Sequence, residues 1–262
     1  MELTATDTAL AEALMSLPGV CAVAIGGSRA TGLADAASDT DAYALVSGTL
    51  PAPAERAQVL RALTDDDRVE AQDAFGPEDH LVVDGGLVEI VYLMADALSE
   101  QVDAAFGEGL MSEGFTTCFL HTVATCVPLA DDGALAVLRA RLATYPEPTR
   151  RRILADTPEI LRACLEQLSS ACERGDVLMA THRRASVQAL WFNMLFALNR
   201  VYHPGEKRLL VHAAGLDVLP AGAVERWRQA QLMRADDVDL PGALTGLTQD
   251  LLALVEGGQP AA

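Results

Sequence analysis

The chain has 262 residues, half of them hydrophobic, and a formal net charge of −18. That is enough apolar side chain for one large packed domain or two ordinary ones, and it excludes a disordered chain. A surface this acidic repels phosphate backbones and excludes broad, non-specific nucleic-acid binding; a nucleotide would need metal ions and a local basic cluster.

Residues 5–16 read as a short amphipathic helix. The apolar run "VCAVAI" (20–25) ends at Gly26-Gly27 and reads as a buried strand, and "TDAYALV" (40–46) as a second. "PAERAQVLRAL" (53–63) reads as a helix with Pro53 in its first turn. Asp65, Asp66 and Asp67 are expected in a solvated loop. "LVVDGGLVEIVYL" (81–93) has the turn chemistry of a β-hairpin at Asp84-Gly85-Gly86. In its returning strand Leu87, Glu89 and Val91 share one face, and Val88, Ile90 and Tyr92 the other. Beyond residue 95 the pattern turns helical. "ATCVPLADDG" (124–133) is a short extended piece with a turn, and helices follow at about 133–143, 149–171, 176–201, 206–213, 221–234 and 241–256. Pro146 and Pro148 mark a linker. The expected class is α+β, with a sheet-containing domain over 1–135 and a helical domain over 136–262.

The five cysteines lack a CxxC pair; Cys118 and Cys126 lie eight apart, as do Cys164 and Cys172, the spacing of small buried hydrophobes on one helix face. The opening segment carries early acids and no basic run, and "ALWFNMLFAL" falls short of the roughly 20 apolar residues of a bilayer span. A cytoplasmic protein without membrane partners is expected, its thiols reduced.

"VAIGGSRATGLADAASDTDAYAL" (23–45) carries the chemistry. Asp39 and Asp41 stand two apart on a strand, so both carboxylates leave the same face. Buried without partners they would cost several kcal/mol each. A divalent cation removes that cost, and hard oxygen ligands at this spacing suit Mg2+. Glu89, alone among apolar neighbours, is the natural third ligand if its strand lies alongside. The alternative is a solvated acidic turn with Glu89 at the surface. Gly26 and Gly27 let backbone approach a phosphate closely, Ser28 offers a hydroxyl, and a helix starting there would aim N–H groups at the same anion. Leu33-Ala34 stand where a P-loop needs Lys and Ser or Thr, and no GxGxxG is present, so P-loop and Rossmann sites are excluded.

Gly-Gly-Ser, ten residues, then Asp-x-Asp at a strand end resembles the signature of the nucleotidyltransferase superfamily that includes DNA polymerase beta. The resemblance implies a mixed sheet and a two-metal transfer of a nucleoside monophosphate to a hydroxyl. It implies that Gly27 and Ser28 hold the β- and γ-phosphates, that Asp39 and Asp41 bind two Mg2+ ions, and that Glu89 binds one of them, as ligand only or also as proton acceptor. ATP is the nucleotide it suggests.

Residues 174–210 resemble the helical domain of small-molecule nucleotidyltransferases, aminoglycoside adenylyltransferase relatives among them. There a basic residue reaches the triphosphate, and Lys207, the one lysine, is the candidate; an ordinary surface lysine is the alternative. Arg29, beside the glycine turn, is a candidate phosphate ligand or a solvent-facing side chain. Asp176 reads first as an N-cap and Tyr202 as a packed boundary aromatic. His80, His121, His182, His203 and His212 form no zinc-ligand spacing, Arg150-Arg151-Arg152 reads as a charged helix face, and no GxSxG nucleophile occurs. The acidic balance favours a small-molecule acceptor, including a cationic one such as an aminoglycoside. A protein acceptor and a non-catalytic, antitoxin-like nucleotide binder are the competing readings.

Overall fold

The apolar runs at 20–25 and 40–46 become neighbouring strands with the bounds their sequences suggest, β1 (Val20–Ile25) and β2 (Thr40–Val46), paired antiparallel. The structure is a computed structural model that describes residues 3–35, 38–74 and 76–257; residues 36 and 37, inside the expected acidic turn, lie outside these ranges. The remaining strands are β3 (Glu70–Gln72), β4 (Glu78–Val83), β5 (Gly86–Met94) and β6 (Val127–Asp131). Among the described residues they form one mixed sheet in the order β3-β4-β5-β2-β1-β6, with β2 and β5 parallel and every other pair antiparallel.

One face of the sheet is covered by α1 (Ala5–Met15) and α3 (Pro53–Leu60). Leu10, Leu14 and Leu60 pack there on Val23, Ile25, Ala42, Ala44, Val46, Val88 and Ile90, the alternate residues of three strands. On the other face Ala22, Ala24, Tyr43, Leu45 and Leu93 meet Leu98 of α4 (Ala95–Phe106), Val123 of α5 (Cys118–Thr125) and Leu135 of α6 (Ala134–Arg141). The helices on this second face leave the β4 and β5 end open, where Val82 and Leu87 are exposed.

The expected hairpin is β4–β5. Val83 pairs with Gly86, and the two linking residues, Asp84 and Gly85, have φ of 52° and 76°. Positive φ at both central positions is what a type I′ turn requires. Asp65 is not merely solvated: its carboxylate accepts the N–H groups of Asp84 (3.1 Å) and Gly85 (2.7 Å), capping the turn from 19 and 20 residues away.

The chain divides into two compact units, residues 1–103 with 119–144, and residues 104–118 with 145–262. The second unit is helical: α7 (Glu147–Arg174), α8 (Val177–Leu198), α9 (Leu209–Ala214), α10 (Ala223–Leu232) and α11 (Leu240–Gly257). Segment 104–118 belongs to it because its polar backbone is satisfied there. The Thr149 hydroxyl donates to the Ala105 carbonyl (2.8 Å) and accepts the Leu110 N–H (3.0 Å), while the Asn193 amide accepts the Thr116 N–H (3.3 Å) and donates to the Thr116 hydroxyl (2.9 Å). Trp191 and Trp227 meet edge to face at 5.3 Å in its core, and the Trp191 indole N–H donates to the Leu247 carbonyl. Cys126, Cys164 and Cys172 are buried, and burial pushes their thiols up, away from the reactive thiolate. Among the described residues no helix is long and apolar enough to cross a membrane.

Candidate functional site

At one end of the sheet β1 runs out into Gly26-Gly27 while β2 begins. The Gly26 N–H donates to the Asp41 carbonyl at 2.9 Å, tying the glycine turn to the start of β2. Gly27 has φ +54° and opens a five-residue helix, α2 (Gly27–Thr31), closed by Gly32 at φ 74°. A Cβ on Gly27 would fall inside the Asp41 carboxylate, and one on Gly26 would run into the Tyr43 ring. Both glycines are thus demanded by close approach, and Gly27 by its left-handed backbone as well.

Asp39 immediately precedes β2 and Asp41 is its second residue. The parallel pairing of β2 with β5 sets Asp41 directly opposite Glu89. Residues in register share a face, and the outcome is a cluster: one ligand oxygen from each of Asp39, Asp41 and Glu89 lies within 4.8 Å of the other two. All three are half-buried. Carboxylates this close repel, and a divalent cation with oxygen ligands is the group that reconciles them. Among the described residues this is the one metal-competent group of His, Cys, Asp or Glu.

Beside the trio, the Ser28 hydroxyl oxygen is shut off from solvent and has no hydrogen-bond partner among the described residues. A buried, unsatisfied hydroxyl next to the glycine turn fits a ligand oxygen that would complete it. Tyr43 lies under the turn, its phenol hydrogen-bonded to Thr122. Burial, then the Asp41 charge, push that phenol up to about 12, so it stays neutral beside the acids. The polar row continues along the sheet: Glu89 pairs with His80 of β4, and His80 with Glu70 of β3.

Arg29 does not face solvent. Its guanidinium clasps Asp7 of α1 with two bonds, 2.9 Å and 2.8 Å, and donates to the Thr40 hydroxyl at 3.2 Å. Neither Asp7 nor Thr40 carries a site signal in the sequence: Asp7 has only that of a capping box with Thr4, and Thr40 that of a strand residue. Lys207 is exposed in the turn before α9 and belongs to the second unit. Asp176 caps α8, accepting the Met179 N–H at 3.1 Å, and Tyr202 is buried against Tyr145.

Residues 116–209 match a family described as a domain of unknown function, DUF4037; that segment does not contain the acidic trio. No curated protein matches the chain. Among solved structures, a nucleotidyltransferase-like protein from Exiguobacterium sibiricum 255-15 is similar at 14% identity, over 92% of this chain and 70% of its own, with a TM-score of 0.41.

Proposed function

We propose that the chain is a metal-dependent nucleotidyltransferase that moves a nucleoside monophosphate, AMP from ATP first among them, onto a hydroxyl of a small molecule. The observation that carries this is the convergence of Asp39, Asp41 and Glu89 within 4.8 Å beside a glycine turn. The trio would hold Mg2+, which when bound lowers the acceptor hydroxyl's pKa and offsets charge on the leaving group. Gly27 lets the turn close onto Asp41, and the unsatisfied Ser28 hydroxyl donates to an oxygen of the triphosphate. The acceptor oxygen bonds to the α-phosphorus, the bond from that phosphorus to the β-phosphate bridge oxygen breaks, and pyrophosphate leaves. The acceptor's proton goes to Glu89 or, where Glu89 holds a cation only, to solvent.

The row Glu89, His80 and Glu70 extends from the trio along the sheet as a polar, acidic strip; an acceptor bound along it would be small and cationic, with aminoglycoside-like compounds the class to try first. Lys207 as a triphosphate ligand rests on the resemblance of the helical half.

The experiment is Mg2+-dependent pyrophosphate release measured with ATP and a panel of hydroxyl acceptors. Asp39→Ala and Asp41→Ala are each expected to abolish release while the protein stays folded. Wild-type activity in either aspartate variant contradicts the mechanism. Nucleotide binding without pyrophosphate release on any acceptor favours a non-catalytic binder.

A further inference from the structure

Arg29 follows Ser28 in sequence, where a phosphate ligand is expected, yet its side chain is committed elsewhere. Asp7, which receives it, is 2% exposed. Its carboxylate is filled: Oδ1 accepts one Arg29 nitrogen, and Oδ2 accepts the other together with the Thr4 N–H at 2.8 Å. The Asp7 N–H in turn donates to the Thr4 hydroxyl, so both ends of the residue are locked into the start of α1. Arg29 leaving for a phosphate would strand this buried carboxylate, among the costliest defects a folded chain can carry.

The third member is Thr40, the residue between the two aspartates. Alternation along β2 puts its side chain on the face opposite Asp39 and Asp41, the face that α1 covers. The Arg29 bond to its hydroxyl holds that residue, and with it the direction of both carboxylates on the other side. The α2 helix is five residues long, too short to hold itself, and Asp39 precedes the first paired residue of β2. The turn and the start of β2 therefore depend on an external anchor.

We propose that Asp7, Arg29 and Thr40 form a positioning bridge that holds the glycine turn and the start of β2 in register with the acidic trio, and that Arg29 serves there and not as a phosphate ligand. The bridge rests on reading the trio as a cation site. Its residues are positioning residues: none touches the reacting atoms.

The test uses the full chain and two probes, Mn2+ alone followed by electron paramagnetic resonance and Mg2+–ATP followed by calorimetry. Thr40→Val keeps the Asp7–Arg29 pair and is expected to weaken Mn2+ about 10- to 100-fold with an unchanged circular dichroism spectrum. Arg29→Lys, which cannot make the forked pair, is expected to do the same. Asp7→Asn distinguishes the two roles of Arg29 by sign. A bridge predicts weaker Mg2+–ATP binding; a phosphate ligand held in reserve predicts tighter binding. Tighter binding in Asp7→Asn, or wild-type Mn2+ affinity in both Thr40→Val and Arg29→Lys, overturns the proposal. If Asp7→Asn does not fold, the other two variants decide. Wild-type protein that binds no Mn2+, or an Asp41→Asn variant that binds it as tightly, overturns instead the cation reading beneath, and the bridge with it.

Discussion

At Gly27 two constraints coincide. Its φ of +54° is strained for any residue with a Cβ, and the Cβ itself would overlap the Asp41 carboxylate. Either the turn or the aspartate must shift to accept a methyl group. Gly27→Ala is therefore expected to lose metal-dependent pyrophosphate release almost entirely, while stability falls by only about 1–2 kcal/mol, since Gly27 itself is exposed. A variant with normal activity would mean that the turn's closeness to Asp41 has no chemical use. The Gly85 position shows the contrast: its φ is 76° but a Cβ there would meet nothing within 4 Å, so the glycine serves the hairpin's backbone alone.

Elements are held together by polar pairs that no local pattern announces. Arg56 of α3 and Asp79 of β4 are 1% and 0% exposed and joined by bonds of 2.8 Å and 2.9 Å. The Tyr92 hydroxyl of β5 donates to the same carboxylate at 2.8 Å, and Arg56 also donates to the Pro51 carbonyl and stacks over the Tyr92 ring. This network fastens α3 to two strands of the sheet that carries Glu89. Asp79→Ala leaves a buried guanidinium unpaired and is expected to cost about 3–5 kcal/mol in chemical denaturation. The double variant Arg56→Met, Asp79→Leu removes both charges and is expected to cost much less; equal losses in the two would show that packing, not the stranded charge, sets the cost.

For the whole molecule, acid sensitivity has an identifiable contributor. Burial alone would raise the Asp7 carboxyl, but the Arg29 guanidinium and the Thr4 N–H and hydroxyl outweigh it and hold it below its ordinary value of 3.8. A carboxyl lowered in the folded state adds stability that is fully present above the unfolded value and is lost as pH falls through the folded one. Wild type is therefore expected to exceed Asp7→Asn in stability at neutral pH, and the gap to close as pH falls below 3.8. A gap independent of pH in urea melts would mean that Asp7 contributes shape and not charge. Mg2+ is expected to raise the unfolding temperature of wild type and not of Asp41→Ala, because a ligand stabilises only the state that binds it.

From the sequence by itself came β1 and β2 to the residue and the hairpin whose turn chemistry lies at Asp84-Gly85-Gly86, because turn chemistry and apolar runs are local properties; Asp39, read as a strand residue, stands one position before β2. The identity of Glu89 as a partner was legible as an anomaly, a lone carboxylate in an apolar strand. That it stands opposite Asp41 was settled by the parallel pairing of two strands whose partnered residues lie 48 apart in the chain. The same holds for the commitment of Arg29 to Asp7, for Asp65 on the hairpin turn, for the buried Arg56–Asp79 pair and for segment 104–118 joining the helical unit. Each is a contact between residues far apart in the chain, and the energy that selects it, desolvation of a charge or satisfaction of a buried backbone group, exists only once the chain has folded around it.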